Sequence, residues 1–312
     1  MTDFDRGTVV IVGASSGIGQ ACAVHLDRLG FQVFAGVLTE TEATDLQQKT
    51  SSRLIPLILD ITNEKQIASA AQTVANAVGK RGIIGLINNA GIASIGPLEI
   101  SPLEDIKKQL DVNIVGIIAV TQAFIPLLRQ SRGRLLNIGS ICGFMPSPFY
   151  GVYPASKYAL ESISDLFRFE LRPWGIDVSL IQLGPVESPL FEKIGKQVED
   201  LETSLSSEKQ NLYSDFFEMM HRWRDNNFQD GLPKLSTEAA VSKIIYALTT
   251  SRPKSRYFVA KTSVKIWSMI RFLPDWILDA ILREQMYQAG IEKTKINLET
   301  VEENKQNLAK VH

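Results

Sequence analysis

Short apolar runs recur along most of the chain, each closed by turn residues and followed by a stretch with helical spacing. Thr8 to Val12, Phe31 to Val37, Leu54 to Leu59, Ile83 to Ile87, Arg134 to Ile138 and Ile176 to Ile181 are such runs. A strand that is apolar on both sides must be covered on both faces, and a helix between consecutive strands supplies that cover. The repeated βα pattern therefore predicts an α/β fold, a doubly wound parallel sheet.

The pattern changes after Pro189. Phe191 to Gly231 is long and mixed in charge, with Leu212, Tyr213, Phe216, Phe217, Met219, Met220 and Trp223 spread along it. It reads as an inserted helical lid, so residues 1–190 form a core and 191–235 the insertion. Residues 236–262 complete the core with a helix over Thr237 to Thr249 and a strand over Tyr257 to Ala260. Residues 263–312 read as a C-terminal helical extension and polar tail: Val264 to Leu282 is apolar, broken at Leu273-Pro274-Asp275, and Glu292 to His312 is charged. All four segments belong to one domain, because 312 residues with 45% hydrophobic content bury one large core.

Charge and cysteine content narrow the function classes. Thirty-three basic residues against thirty-four acidic ones leave a net charge of -1, with no electrostatic reason to bind nucleic acid. Cys22 and Cys142 have no disulfide or zinc spacing, which fits a reducing compartment. Met1 to Gly7 holds no apolar signal region, so a cytoplasmic protein is expected. His25, His221 and His312 match no ligand or triad spacing, and no metal is expected.

The first strand runs into Val12-Gly13-Ala14-Ser15-Ser16-Gly17-Ile18-Gly19, and a helix follows over Gln20 to Leu29. Glycines here let the backbone approach a pyrophosphate at a helix N-terminus, where unpaired N–H groups favour an anion. A tight βα turn explains the same glycines. Farther on, Asn88-Asn89-Ala90-Gly91 follows the fourth strand. Ser140 follows the fifth, with Tyr153 thirteen residues later and Lys157 four beyond that. The last two fall one helical turn apart, so phenol and ammonium share a face. A phenol ordinarily loses its proton near pH 10, and a neighbouring positive charge is what favours the phenolate.

Together these motifs resemble the short-chain dehydrogenase/reductase family over roughly Thr8 to Ser188. The resemblance implies an NAD(P)-dependent oxidoreductase that interconverts an alcohol and its aldehyde or ketone. It assigns Gly13, Ser15, Ser16, Gly17, Ile18 and Gly19 to the cofactor diphosphate, Asp60 and Ile61 to the adenine, and Asn89, Ala90 and Gly91 to the sheet beside the adenosine. Val12 stands where the family usually has Thr. Ser140 is implied to hold the substrate oxygen, and Tyr153 to exchange its proton. Lys157 supports the phenolate, and Asn113 holds a water that links Lys157 to solvent. Tyr153 and Lys157 also contact the cofactor. Leu183-Gly184-Pro185-Val186-Glu187-Ser188 resembles the family's Pro-Gly-x-x-x-Thr turn, which assigns Gly184, Pro185, Val186 and Ser188 to the nicotinamide carboxamide. Leu183 replaces the Pro, which bears on the backbone shape. Ser188 keeps the hydroxyl.

No Arg or Lys stands in Gly36-Val37-Leu38-Thr39-Glu40 at the end of the second strand, and Glu40 lies about 20 residues beyond the last glycine, where a ribose carboxylate is expected. That favours NAD, with NADP the alternative; a solvated residue at a helix start is the other reading of Glu40. Phe144, Met145, Phe149 and Tyr150 surround the Ser-Tyr-Lys set, and with the aromatic insertion they suggest an apolar pocket, or equally the packing face of a lid.

Gly36 to Glu40, Ser156-Lys157-Tyr158-Ala159-Leu160-Glu161 and Ala247-Leu248-Thr249 look similar to retinol, hydroxysteroid and hydroxybutyrate dehydrogenases. Retinoid-like, steroid-like or lipid-like substrates come first, with a small hydroxy acid as the alternative and a catalytically silent dinucleotide sensor as a third. Family resemblance also implies a homo-dimer or homo-tetramer through Gly116 to Gln130 and Pro154 to Arg172. Residues 264–282 are apolar enough to touch a membrane peripherally, or to pack over the pocket or a second subunit.

Overall fold

The computed structural model describes residues 6–145, 148–226, 233–261 and 273–288. Seven strands form one sheet: β1 (Thr8–Val12), β2 (Gln32–Val37), β3 (Leu54–Ile58), β4 (Gly85–Asn88), β5 (Arg134–Ser140), β6 (Asp177–Leu183) and β7 (Arg256–Val259). Their spatial order is β3-β2-β1-β4-β5-β6-β7, and every neighbouring pair is parallel. The order reverses between β1 and β4, and a crevice opens at the strand ends of such a reversal. The six runs of the sequence pattern are all strands. Strands β5 and β6 run two residues farther than their apolar stretches, because Ser140 still pairs with Leu183 across the ladder.

Alternation along each strand builds the two layers. Val9 and Ile11 of β1 face a cluster with Cys22, Ala23 and Leu26 of α1 (Gly17–Arg28) and Val241, Ile244 and Leu248 of α10 (Thr237–Thr249). Val10 and Val12 face the opposite layer, with Ile67 and Val74 of α3 (Glu64–Val78), Phe124 and Leu128 of α5 (Ile117–Ser131), and Leu160 and Phe167 of α6 (Tyr153–Leu171). The period of two along β1 thus fills both faces from one five-residue strand. Helix α2 (Glu40–Gln47) leads from β2 toward β3.

Helix α4 (Leu103–Leu110) runs into α5 through a wider π turn at Asp111–Gly116. By length and composition the continuous span Leu103–Ser131, which contains an 18-residue window of mean hydropathy 1.7, is apolar enough to cross a membrane. Its apolar side is spent on the core, where Ile117, Val120, Phe124, Leu127 and Leu128 are buried.

The insertion after β6 folds as α7 (Leu190–Ser204), α8 (Ser207–Leu212) and α9 (Ser214–Asp225). Ile194, Val198, Leu201, Phe216, Phe217 and Met220 pack there with Ala93, Ile95 and Ile100 of the segment after β4. At the C-terminal end, α11 (Asp275–Gln288) follows Pro274, and Leu273 and Leu278 pack on Ile141, Cys142, Phe144, Met145 and Ala260. Of the apolar stretch expected at 264–282, residues 264–272 lie outside the described part, as do residues 227–232 of the insertion region and the tail from Glu292.

Candidate active site

The chemistry-bearing residues collect at the C-terminal ends of β1, β4, β5 and β6. At the first of these, Gly13 takes φ +80 and Gly17 φ +55, left-handed values that side chains resist. A Cβ on Gly13 would lie 2.6 Å from the Ala90 backbone, and one on Gly19 would lie 2.0 Å from the Gly13 carbonyl. The side chain of Asn89 donates to that same carbonyl at 2.8 Å, so the glycine turn is tied to the end of β4. Helix α1 starts earlier than its apolar period suggested, at Gly17. Its N-cap, Ser16, makes no side-chain cap and no acidic residue occupies the first turn. The amides of that turn are left for an anion, which fits a dinucleotide pyrophosphate.

Between the glycine turn and the end of β2 stands a carboxylate. Glu42 Oε2 accepts from the Ser15 hydroxyl at 2.8 Å, from Leu38 N–H at 2.8 Å and from Thr39 N–H at 3.1 Å. Partial burial opposes its charge. The bonds from Ser15, Leu38 and Thr39 and the positive charge of Lys193 outweigh it, holding the carboxyl below its ordinary pKa. Glu40 opens the same helix as an exposed side chain. Asp60 accepts from the Thr62 amide and hydroxyl at 2.9 and 2.7 Å, while Ile61 is buried against the position of Gly116.

At β5, Ser140 is buried and its Oγ accepts from Cys142 N–H at 3.2 Å. Tyr153, at the start of α6, is partly buried, and its phenol meets the Ser140 hydroxyl. Burial pushes the Tyr153 phenol up, with the neighbouring Cys142 and Tyr150 adding to the rise and Ser140 opposing it. Lys157 is buried one turn on. Its Nζ donates to the Ile138 carbonyl at 3.0 Å and lies 5.7 Å from the Tyr153 ring centre. Burial pulls its pKa down to about 8. An acid held protonated beside a base held near neutrality is an arrangement suited to proton exchange.

Asn113 sits in the π turn, which rotates it toward the segment after β4. Its Oδ1 accepts from Ile92 N–H at 2.9 Å, and its Nδ2 donates to the Ile92 carbonyl at 2.8 Å and to Ser156 Oγ at 3.0 Å. Such a turn inside an α-helix is frequent at functional sites. Gly91 is flanked by Asn113 Oδ1 and Lys157 Nζ, 3.4 and 3.7 Å from where its Cβ would be.

A family model described as short chain dehydrogenase matches residues 7–199. The chain belongs to the short-chain dehydrogenase family. Among curated relatives, mouse (Mus musculus) retinol dehydrogenase 5 is 35% identical over 277 residues, spanning 88% of this chain and 87% of its own. The 17-beta-hydroxysteroid dehydrogenase type 6 of Bos taurus is 36% identical over 283 residues, with the same coverage of 88% and 87%. An NADPH-dependent 3-dehydrocapnine reductase of Ornithobacterium rhinotracheale is 30% identical over 282 residues, 89% of this chain and 96% of that one. A solved short chain dehydrogenase from Burkholderia cenocepacia, in complex with NADP, shares the fold at a TM-score of 0.68 and 24% identity, covering 88% of this chain and 97% of that one. This short-chain dehydrogenase is an NAD(P)-dependent oxidoreductase acting on alcohols and carbonyls.

The turn after β6 keeps a defined shape in this dehydrogenase despite Leu183. Gly184 N–H bonds the Val259 carbonyl at 2.9 Å, Pro185 C=O accepts from Leu235 at 2.8 Å, and Val186 bridges to Leu235. Ser188 and Pro189 then pass 3.6 Å from the Cβ position of Gly17, so the segment leading into the insertion lies against the glycine turn.

Sequence reasoning passed over Glu42 and a network below Lys157. The Thr39-x-x-Glu42 capping box was its available signal. The network had none: Glu161 accepts from Gln182 and Arg256, and Arg256 also bonds Asp165. Two surface cavities, of about 240 and 510 Å³, open around Arg172 at the other end of the sheet, near where β6 begins, and do not include Ser140, Tyr153 or Lys157.

Proposed function

We propose that this dehydrogenase interconverts an apolar alcohol of retinoid, steroid or lipid type with its carbonyl, using NAD in preference to NADP. The observation that carries the reading is the meeting of Ser140, Tyr153 and Lys157 beneath two apolar clusters. Tyr150 and Tyr153 pack against both the insertion cluster, with Ile95 and Phe216, and the cluster of Phe144, Met145 and Ala260. Walls of that kind exclude water and favour an apolar ligand.

The glycine turn, the uncapped α1 and the close approach at Gly91 suit a nicotinamide dinucleotide, which when bound supplies the hydride acceptor or donor. Ser140 hydrogen-bonds the substrate oxygen. Tyr153 takes the hydroxyl proton during oxidation and returns it during reduction. Lys157, when charged, lowers the cost of the phenolate. Asn113 fixes the segment after β4 and holds a water that links Lys157 to solvent, so that the proton is relayed. Gly184, Pro185, Val186 and Ser188 face the carboxamide, and Gly13, Ser15, Ser16, Gly17, Ile18 and Gly19 the diphosphate. Asp60, Ile61, Asn89 and Ala90 line the adenosine side.

Residues 191–235 act as a substrate lid on a core of 1–190 and 236–262. Exposed Leu166, Phe169 and Trp174 on and just beyond α6 support pairing of two copies through that helix. Exposed Trp276 on α11 supports peripheral contact of an otherwise cytoplasmic enzyme with a bilayer.

The test is turnover of a panel from acetoacetate to retinal and a ketosteroid, with NADH and NADPH supplied separately. Reduction of a bulky apolar carbonyl with NADH preferred is the expected outcome. Reaction with acetoacetate alone would remove the apolar pocket from the reading. Cofactor binding without any turnover would favour the sensor.

A further inference from the structure

One face of β6 is apolar toward α6 for most of its length. Val178 and Leu180 pack there with Leu160 and Phe167 of that helix. The period of two puts Gln182 next on the same face. It is 4% exposed, and its amide nitrogen donates to Glu161 Oε1 at 2.6 Å. Glu161 Oε2 accepts from Arg256 of β7 at 2.9 Å. Apolar side chains at 161 and 182 would fill the same space without removing polar groups from water, so the pair adds direction where packing alone gives contact.

Glu161 stands where three pieces of the site meet. Tyr153, Lys157 and Glu161 follow one another at four-residue steps along α6 and share a face. The turn after Ser140 lies on the same stretch of helix: a Cβ on Gly143 would stand 2.9 Å from the Lys157 carbonyl and 3.2 Å from Glu161 Cγ. Gln182 lies two residues before Gly184, whose N–H bonds the Val259 carbonyl of β7 at 2.9 Å. The bond from Gln182 to Glu161 therefore joins the helix that carries the phenol and the ammonium to the strand that leads into the turn at Gly184. Arg256 ties the same carboxylate to β7, but it also holds Asp165 at 2.7 Å, one turn farther from Tyr153.

We propose that Glu161 is a positioning residue for hydride transfer: through Gln182 it fixes α6 along β6, and with it the Tyr153 hydroxyl relative to the turn at Gly184. The proposal rests on the reading of Tyr153 as the proton carrier and of that turn as the carboxamide site. Apolar contact alone lets a helix settle at neighbouring positions on a sheet face, and a displacement of about 1 Å between reacting groups costs on the order of 10²-fold in rate. A hydrogen bond between two groups shielded from water has a narrow preferred geometry and selects one of those positions. Binding depends less on that register, because on the same reading the diphosphate is held at the glycine turn.

The experiment compares the wild type with Gln182→Leu, Glu161→Leu, Glu161→Gln and Arg256→Met, using NADH and the carbonyl that the wild type reduces fastest. Steady-state rates are read beside hydrogen exchange of the cofactor-free proteins over residues 150–161, and urea unfolding checks that each variant folds. Gln182→Leu and Glu161→Leu should lower kcat by about tenfold or more, while KM and NADH affinity stay within about threefold. The deuterium isotope effect with 4-deuterated NADH should be no smaller than in the wild type, and exchange over 150–161 should quicken. Glu161→Gln keeps an acceptor for Gln182 and should hold kcat within about threefold of the wild type. Arg256→Met leaves the Gln182 bond in place and should lose stability but not kcat. Should Gln182→Leu fail to fold, Gln182→Met, unbranched and without a donor, takes its place. Undiminished kcat in a folded Gln182→Leu or Gln182→Met variant overturns the proposal alone. An equal fall of kcat in Arg256→Met overturns it too, since the network would then act through stability. A wild type that reduces no carbonyl overturns the reading of the site itself, and this proposal with it.

Discussion

The glycine turn and the Ser140–Tyr153–Lys157 cluster stand at the same edge of one sheet and are made of opposite materials. The turn works through what is missing: side chains absent at Gly13 and Gly19, a cap absent at Ser16, and backbone amides left open. The cluster works through what is buried, a phenol pushed up and an ammonium pulled down to about 8 by removal from water. One end is specified by sterics and the other by desolvation. They should therefore fail differently, the first to added volume and the second to changes of functional group at constant volume.

Tyr153→Phe separates them most sharply. Ring packing against both apolar clusters survives, but the hydroxyl proposed to transfer the proton is gone. Turnover should fall by about 10²–10⁴-fold, while NADH affinity stays within about twofold. Loss of NADH binding on the same scale as turnover would show that the two ends are one unit.

The converse is Gly19→Ala. Its methyl carbon would stand 2.0 Å from the Gly13 carbonyl and 2.5 Å from Asn89 Nδ2, and both are anchored. Dinucleotide affinity should drop more than about tenfold, with stability lower by about 1–3 kcal/mol. Binding titrations and urea unfolding check both. A variant that folds and binds normally would show that the turn has more room than its geometry allows.

Arg256→Met probes the floor of the catalytic end and should give the smallest effect. Arg256 bonds Glu161 at 2.9 Å and Asp165 at 2.7 Å. Burial alone would raise the Asp165 carboxyl, but Arg256 and Arg168 outweigh it, so its folded pKa lies below the ordinary 3.8. A lowered carboxylate stabilises the fold above the ordinary pKa, and that contribution disappears as pH falls through the lower folded value. Because Asp165 is partly exposed, the loss in the variant should be about 1 kcal/mol near pH 7. The gap between wild type and variant in urea unfolding should close as pH falls below about 4. NADH affinity should not move. A gap that persists at low pH would mean the arginine acts through packing of its stem instead.

Much of this site was legible beforehand because the family places its chemistry at short, fixed spacings. Tyr153 and Lys157 are four apart on a helix, so local periodicity puts them on one face. Ser140 and Asn89 follow apolar runs that could only be strands. Glu42 was passed over because Glu40 alone was read at the spacing of a ribose carboxylate; the bond of Glu42 to Ser15, 27 positions away, exists only in the fold. The Arg256 network joins α6, β6 and β7 across 95 positions and left no local trace.

Phe149 is the same kind of case. It takes φ +64 without being glycine, held by the bond from Gly96 N–H to its carbonyl and by its ring 5.5 Å from Phe216 of the insertion. No residue type at position 149 announces that conformation.

What the chain determined by itself was therefore periodic or local: seven strands, the helices between them, the glycines of the first turn and the phenol–ammonium step on α6. Hydrophobic period and steric permission act over a few residues and can be read without neighbours. The tertiary structure alone decided which carboxylate meets the glycine turn, how far burial shifts Tyr153 and Lys157, and which helices close over Tyr150. Those depend on distance and on exclusion of water between segments far apart in sequence, and both quantities exist only once the chain has folded.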